Sequence, residues 1–253
     1  MLLSRTSGLG QYLMRLLKLA FRRETAMPML ALTFASGVCL ILISARIIWT
    51  GKLRYGFLLW NLFLAWLPLL FPLLACEKYH NASGRNWRFL GLAGAWLLFF
   101  PNAPYIFTDL IHLTRGYFPH FWVDMVLILT CALTGLVLGF LSLFLMQSIV
   151  SRMFGRTASW VFIATVAGLS GIGMYLGRFE RLNSWDILFK PMALSRGITN
   201  WAADPFGHPG SIALPALFAT FLFLAYLMLY ALTHLKQQPA PALPDPPKEL
   251  EPL

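Results

Sequence analysis

The stretch WLLFFPNAPYIFTDLIHL, residues Trp96–Leu113, decides how this chain folds. Its first five residues are typical of the middle of a membrane helix, yet two prolines, an asparagine and a tyrosine follow within the next eight. Because an α-helix cannot pass undisturbed through Pro101 and Pro104, we expect a helix that stops near residues 100–103 and then restarts. The backbone groups freed by the break cannot face lipid, so the break must be buried in protein or line a wet cavity.

The rest of the chain has the composition of a membrane protein. Of its 253 residues 58% are hydrophobic and 12% are charged, and the mean hydropathy is +0.67. Soluble domains carry about 25% charged residues, and a helix needs about 20 apolar residues to cross a bilayer. The sequence therefore predicts an all-α integral membrane bundle of about six transmembrane helices, with the third broken at Pro101 and Pro104. We place the spans at residues 28–49, 53–75, 88–107, 122–150, 159–177 and 212–232.

Three regions are expected along the chain. Residues 1–27 form a basic amphipathic segment, residues 28–233 the membrane domain, and residues 234–253 a Pro-rich disordered tail. The first hydrophobic run follows the basic segment directly, which favours an uncleaved first helix over a signal peptide. Lys and Arg are more frequent on the side of the N-terminus, twelve against eight, so both termini are predicted to be cytoplasmic.

Charge and small residues indicate the surroundings of the bundle. The formal net charge is +10, but the basic residues lie in short loops beside the spans. Membrane lipids, and no nucleic acid, are therefore the expected partners. Gly135 and Gly139, like Gly173 and Gly177, are four residues apart, and such pairs let a neighbouring helix approach closely. That neighbour belongs either to the same chain or to a second copy, so a homo-oligomer stays open.

The polar residues of interest fall into two clusters, which the span count places on one extracytoplasmic side. The first follows the break, where Asn102 is expected to cap the restarted helix. On that helix Tyr105, Asp109 and His112 should share a face. The second cluster, GRFERLNSWD, follows the fifth span and contains Arg178, Glu180, Arg181, Asn183 and Asp186.

The Asp109 and His112 pair is open to three interpretations. It could supply two ligands to a metal, which is the least favoured because no third ligand is clear. It could be a general base with an orienting carboxylate. It could also hold its helix against Arg178 or Arg181 in an ion-pair network. The candidates for a third metal ligand are Glu180, Asp186, His120 and His208.

Arg178 and Arg181 admit a second role beside such a network. Forked hydrogen bonds from two guanidinium groups suit the phosphate of a lipid or polyprenyl carrier. Ionisable clusters at membrane depth are candidate functional sites as well as structural networks. The sequence does not decide between a structural network and a ligand site here.

Two motifs resemble those of a bacterial family of multi-pass membrane proteins catalogued as Domain of Unknown Function 1361. They are FPNAPYIFTDLIHL (Phe100–Leu113) and GMYLGRFERLNSWD (Gly173–Asp186). The family's domain would cover about residues 31–230. The resemblance implies a protein of the bacterial cytoplasmic (inner) membrane with no established activity. The family's second motif tends to carry an apolar residue in place of Glu180, which speaks against an essential role for that residue.

The first functional hypothesis is a ligand or active site at the extracytoplasmic membrane boundary, acting on a lipid-linked or anionic headgroup substrate. One alternative is a transporter or permeation protein lined by the broken third span. The other is a structural or assembly protein without a catalytic site. The sequence identifies no cofactor and predicts no metal. The proposed catalytic residues are Asp109 and His112, and the proposed ligand-binding residues are Asn102, Tyr105, Arg178, Arg181, Asn183 and Asp186.

Overall fold

The computed structural model describes residues 26–79, 87–115, 120–180, 182, 186, 190–203 and 210–233. The basic segment before residue 26 and the Pro-rich tail after residue 233 lie outside the described residues. The described part confirms an all-α membrane bundle. Its helices are α1 (Ala26–Thr50), α2 (Phe57–Tyr79), α3 (Trp87–Phe99), α4 (Asn102–Tyr105), a 3₁₀ helix (Ile106–Arg115), α5 (Phe121–Phe154), α6 (Arg156–Tyr175), a π turn (Leu176–Glu180), α7 (Pro191–Ala203) and α8 (Gly210–Thr233).

Six of these helical stretches are long and apolar enough to cross a membrane, in agreement with the six predicted spans. Helix α5 is the central one, since 67% of its most apolar window is buried against 28% for α1 and 17% for α8. It packs against α1, α2, the 3₁₀ helix and α6, while α8 packs mainly on α6. Helix α7 was not predicted from the sequence.

The third span is broken at the predicted place and a helix restarts after it, but most of the restarted helix is 3₁₀ rather than α. Only one α-turn, α4, comes after Pro101, and the next ten residues form a 3₁₀ helix. Runs of 3₁₀ helix longer than three or four residues are uncommon. Side chains three residues apart are eclipsed in this geometry, so Asp109 and His112 project from the same edge of the helix.

The role expected of Asn102 as a cap for the restarted helix was also wrong. Pro101 precedes α4, and no side chain caps that helix. The amide of Ala103 donates to the carbonyl of Phe100 at 3.1 Å, which leaves the Phe99 carbonyl at the end of α3 in need of a donor. Asn102 Nδ2 donates to that carbonyl at 3.0 Å. The side chain thus closes the end of α3.

Three of the four glycines, Gly135, Gly139 and Gly177, bring α5 and the π turn close to the broken segment. A Cβ at Gly135 would lie 2.7 Å from the carbonyl oxygen of Ala103, and one at Gly139 would lie 3.0 Å from the Ala103 Cβ. A Cβ at Gly177 would lie 3.0 Å from Cε2 of Tyr105. Close approach at these positions is therefore confirmed, and the neighbour is the broken span of the same chain.

Candidate functional site

The two polar clusters meet at one buried ion pair. Asp109 of the 3₁₀ helix is 2% exposed, and Arg178 of the π turn donates from Nη2 to its Oδ1 at 2.7 Å. The same Nη2 donates to the hydroxyl of Thr108 at 2.8 Å. Partners 69 residues apart in sequence are thereby joined. Both stand on helices of non-α geometry, of which π turns in particular often occur at functional sites.

Asn61 of α2 completes the surroundings of the carboxylate, and sequence reasoning missed it. Its Nδ2 donates to Asp109 Oδ2 at 2.8 Å. Both carboxylate oxygens therefore accept a hydrogen bond, as a buried carboxylate requires. The available signal was a single amide within the apolar run LLWNLFL.

Tyr105 contacts the π turn at both Gly177 and Arg178. Its hydroxyl donates to the carbonyl oxygen of Gly177 at 3.3 Å. The Cζ atom of Arg178 lies 5.2 Å from the centroid of the Tyr105 ring, within the range of a cation–π contact. The broken span and the π turn are thus joined by an ion pair, a hydrogen bond from a side-chain hydroxyl to a backbone carbonyl, and a ring contact.

His112 lies next to this ion pair but is too far from Asp109 for a hydrogen bond between the two side chains. Its Nε2 is 3.9 Å from Asp109 Oδ1, which is longer than a hydrogen bond. The imidazole contacts the ring of Phe57, with the two centroids 4.8 Å apart. Its side chain is 35% exposed, whereas that of Asp109 is 2% exposed, so His112 is an accessible polar group beside the buried carboxylate.

The other predicted site residues are brought to the cluster only in part. Asn102 binds the end of α3, and Asp186 is buried, with 7% exposure. Arg181 and Asn183 lie outside the described residues, as does the side chain of Glu180. Within the described ranges no three His, Cys, Asp or Glu side chains are grouped so as to hold a metal ion.

The guanidinium of Arg178 is only partly used by these contacts. One nitrogen, Nη2, makes both hydrogen bonds to Thr108 and Asp109. Its Nε is buried and finds no acceptor in the part of the chain that the structure describes. A buried donor without an acceptor costs about 1–3 kcal/mol. The Arg178 side chain therefore keeps capacity for a further hydrogen-bond acceptor.

A second buried ion pair, which the sequence did not predict, lies at the same end of the bundle. Arg46 in the last turns of α1 forks onto Asp124 at the start of α5, with Nε to Oδ1 at 2.6 Å and Nη2 to Oδ2 at 3.2 Å. Tyr55 between α1 and α2 donates its hydroxyl to Asp124 Oδ2 at 2.7 Å. Burial and this hydrogen bond to the carboxylate raise the pKa of Tyr55 to about 12.

The fold and the site define a polytopic α-helical membrane protein whose broken span is fastened to a π turn by a buried ion pair. The family model described as "Protein of unknown function (DUF1361)" matches residues 60–228. The chain belongs to this family. The matched range contains Asn61, Asp109 and Arg178, whereas Arg46 and Tyr55 precede it. No curated protein and no solved structure matches the chain.

Proposed function

We propose that this membrane protein binds the anionic headgroup of a lipid-linked molecule at the extracytoplasmic boundary, with Arg178 as the principal cation. The observation that carries the proposal is the buried Nε of Arg178, for which the described residues supply no acceptor. A phosphate oxygen is a suitable acceptor, since guanidinium groups bind phosphate through charge-assisted hydrogen bonds. Arg181 and Asn183 remain predicted contributors to the same headgroup site.

The ion pair with Asp109 supports this proposal because it holds the cation in one position. Asp109 and Thr108 occupy a single nitrogen of Arg178. The ring of Tyr105 and its hydrogen bond to Gly177 fix the π turn that carries the guanidinium. A fixed cation loses little conformational entropy when it binds, which favours affinity for an anion.

The neighbouring surface supports a ligand with a lipid tail. Ile111 on the 3₁₀ helix is 48% exposed, and Phe179 on the π turn is 51% exposed. These apolar side chains lie within three residues of Asp109 and Arg178, respectively. A headgroup bound at Arg178 would therefore have apolar surface for its chain close by. With cytoplasmic termini, this end of the bundle faces the extracytoplasmic side.

A catalytic role for Asp109 and His112 is a second candidate, favoured by their eclipsed positions on the 3₁₀ helix. In transfer or hydrolysis at the headgroup, His112 would act as general base and Asp109 would orient it. The 3.9 Å separation between His112 Nε2 and Asp109 Oδ1 favours the binding hypothesis over the catalytic one. For catalysis the imidazole would have to move closer to Asp109 to be oriented by it. His112→Ala should then leave headgroup affinity nearly unchanged and remove any turnover.

A purely structural role is the alternative that an experiment must separate from binding. It is favoured by the fact that both oxygens of Asp109 already have donors from Arg178 and Asn61. Under this alternative, loss of Arg178 lowers stability and changes nothing else. Under the proposal, loss of the guanidinium also lowers affinity for an anion.

The test is thermal unfolding of the full chain in detergent with three additives: a short-chain isoprenyl monophosphate, the matching alcohol and inorganic phosphate. A ligand that binds only the folded state at 100 times its Kd stabilises it by about 2.7 kcal/mol. We expect the isoprenyl phosphate to raise Tm, the alcohol to leave it unchanged, and Arg178→Lys to abolish the rise.

The matched control is Arg196→Lys, an exposed arginine on α7, which should respond as the wild type does. Arg178→Lys keeps a positive charge beside Asp109, so a folded variant is expected. Equal stabilisation by the isoprenyl alcohol and the isoprenyl phosphate would refute the proposal. So would a folded Arg178→Lys protein that binds the phosphate as tightly as the wild type.

A further inference from the structure

Residues 46–56, the end of α1 and the turn that leads to α2, are here called the hairpin tip and contain a second buried guanidinium with an unused donor. Arg46 is 6% exposed. Its Nε and Nη2 are bound to Asp124. Its Nη1 is buried and finds no acceptor among the described residues. A charged donor of this kind calls for an acceptor, and the described part of the fold does not supply one.

The side chain facing this guanidinium is exposed. The Cζ atom of Arg46 lies 5.5 Å from the centroid of the Trp49 ring, and Trp49 is 65% exposed. The ring also contacts His120, with centroids 5.2 Å apart. Trp49 can therefore change its rotamer at the surface while the bonds between Arg46 and Asp124 stay in place.

The outer surface of the hairpin tip alternates apolar and cationic side chains. Lys52 and Arg54 are exposed, and Leu53 between them is 78% exposed. Gly51 has a φ of +63°, a left-handed conformation that lets the chain turn tightly. Cations interleaved with exposed apolar residues are typical of a segment that lies among lipid headgroups.

The charge at this surface favours an anionic ligand. The hairpin tip contributes three cations, Arg46, Lys52 and Arg54, and Arg46 is paired with one carboxylate, Asp124, so these four groups carry a net charge of 3 − 1 = +2. The Cζ atom of Arg54 lies 5.6 Å from the ring of Tyr55, whose hydroxyl donates to Asp124. Arg54 is thus connected to the buried ion pair through Tyr55.

We propose that the hairpin tip binds the phosphate of an anionic membrane phospholipid, at a site that shares no residue with the Arg178 site. Arg46 Nη1 donates to a phosphate oxygen when Trp49 turns aside, and Lys52 and Arg54 attract the headgroup. The exposed Leu53 and Trp49 favour a lipid over free phosphate, since acyl chains and glycerol esters cover apolar side chains that phosphate leaves in water.

The test is quenching of Trp49 fluorescence in vesicles with brominated acyl chains on either phosphatidylglycerol or phosphatidylcholine. The chain has nine tryptophans, so the signal is the full chain minus Trp49→Phe, which isolates one of them. We expect brominated phosphatidylglycerol to quench Trp49 more than brominated phosphatidylcholine at equal mole fraction. Because the signal comes from Trp49 alone, binding at Arg178 does not contribute to it.

The phosphatidylglycerol preference is compared in two double variants. Lys52→Gln with Arg54→Gln removes the surface cations and leaves the buried ion pair intact. The phosphatidylglycerol preference should fall roughly fivefold for each charge, from about 1 kcal/mol per cation near an anionic surface. Arg152→Gln with Arg156→Gln removes two exposed cations at the other end of the bundle and should leave the preference unchanged.

Three outcomes would overturn the proposal. The first is equal quenching by the two lipids in the wild type, and the second is an equal loss of preference in both double variants. The third is complete removal of the preference by millimolar inorganic phosphate at constant ionic strength, which would show a site for the free ion. Arg46→Lys should also lower the preference, and the surface double variant decides the matter if Arg46→Lys does not fold.

Discussion

Removing one partner of the buried pair between Asp109 and Arg178 should destabilise the protein far more than removing both. Asp109→Leu leaves a guanidinium whose side chain is 16% exposed without its carboxylate. Arg178→Met leaves a carboxylate whose side chain is 2% exposed with Asn61 as its remaining close donor. Breaking a buried pair from one side costs about 3–5 kcal/mol, because an uncompensated charge stays behind.

The double variant removes both charges at once. Replacement of a buried ion pair by apolar residues of similar volume is often close to neutral. Since each single change should cost about 3–5 kcal/mol, we expect the double variant to lose less than either, with a coupling energy of at least about 3 kcal/mol. Thr108 and Asn61 each lose a partner in the double variant, at about 1 kcal/mol per hydrogen bond.

The assay is the free energy of unfolding from SDS titration in mixed micelles, followed by circular dichroism. Arg196→Met on the exposed face of α7 is the control and should stay within about 0.5 kcal/mol of the wild type. Additive single and double changes would refute the reasoning. Additivity would mean that Asp109 and Arg178 do not interact in the folded protein, whatever their distance.

Three further predictions concern packing, pH and orientation. Gly171→Ala should lower the free energy of unfolding by about 1–3 kcal/mol, because its Cβ would meet a backbone carbonyl of α8. Gly168→Ala on the same helix has open space and should raise it by up to about 1 kcal/mol, so equal effects of the two variants would contradict this packing. The pKa of Tyr55 is raised to about 12 from an ordinary 10.0, so the wild type should be more stable than Tyr55→Phe below pH 10.0 and should lose this advantage as the pH rises through about 12. A constant difference in unfolding free energy across that range would be evidence against this prediction. Ile111 and Phe154 lie at opposite ends of the bundle and are 48% and 51% exposed, respectively. In intact cells only Ile111→Cys, and not Phe154→Cys, should react with a membrane-impermeant maleimide, and the reverse labelling would invert the proposed orientation.

The six spans could be predicted from the sequence because length and hydropathy determine them directly. The break near Pro101 could be predicted for a local reason, since proline lacks the backbone donor that an α-helix needs. The 3₁₀ conformation beyond the break could not be predicted. Pro101 determines where the α-helix stops. The conformation that follows also depends on the fit of Ala103 and Ile106 against Gly135, and therefore on how α5 packs. Helix α7 was missed because residues 191–203 have too little apolar character to be recognised as a span.

The site was predictable only where its residues cluster along the chain. The motif around Asp109 and the motif around Arg178 are each compact in sequence, so their meeting was among the foreseen arrangements. Asn61 lies 48 residues from Asp109, and Arg46 lies 78 residues from Asp124. Such pairs depend on which helices are neighbours, and single polar residues in apolar spans do not reveal their partners.

The most direct test of the headgroup site is photo-crosslinking of the full chain in detergent. The probe is a short-chain isoprenyl phosphate with a diazirine on its first isoprene unit, and the labelled peptides are mapped by mass spectrometry. We expect label in Ile106–Arg115 and Leu176–Glu180, with labelling abolished by Arg178→Lys and by excess isoprenyl phosphate, but not by excess alcohol. Label confined to other helices, or unchanged labelling in a folded Arg178→Lys protein, would contradict it.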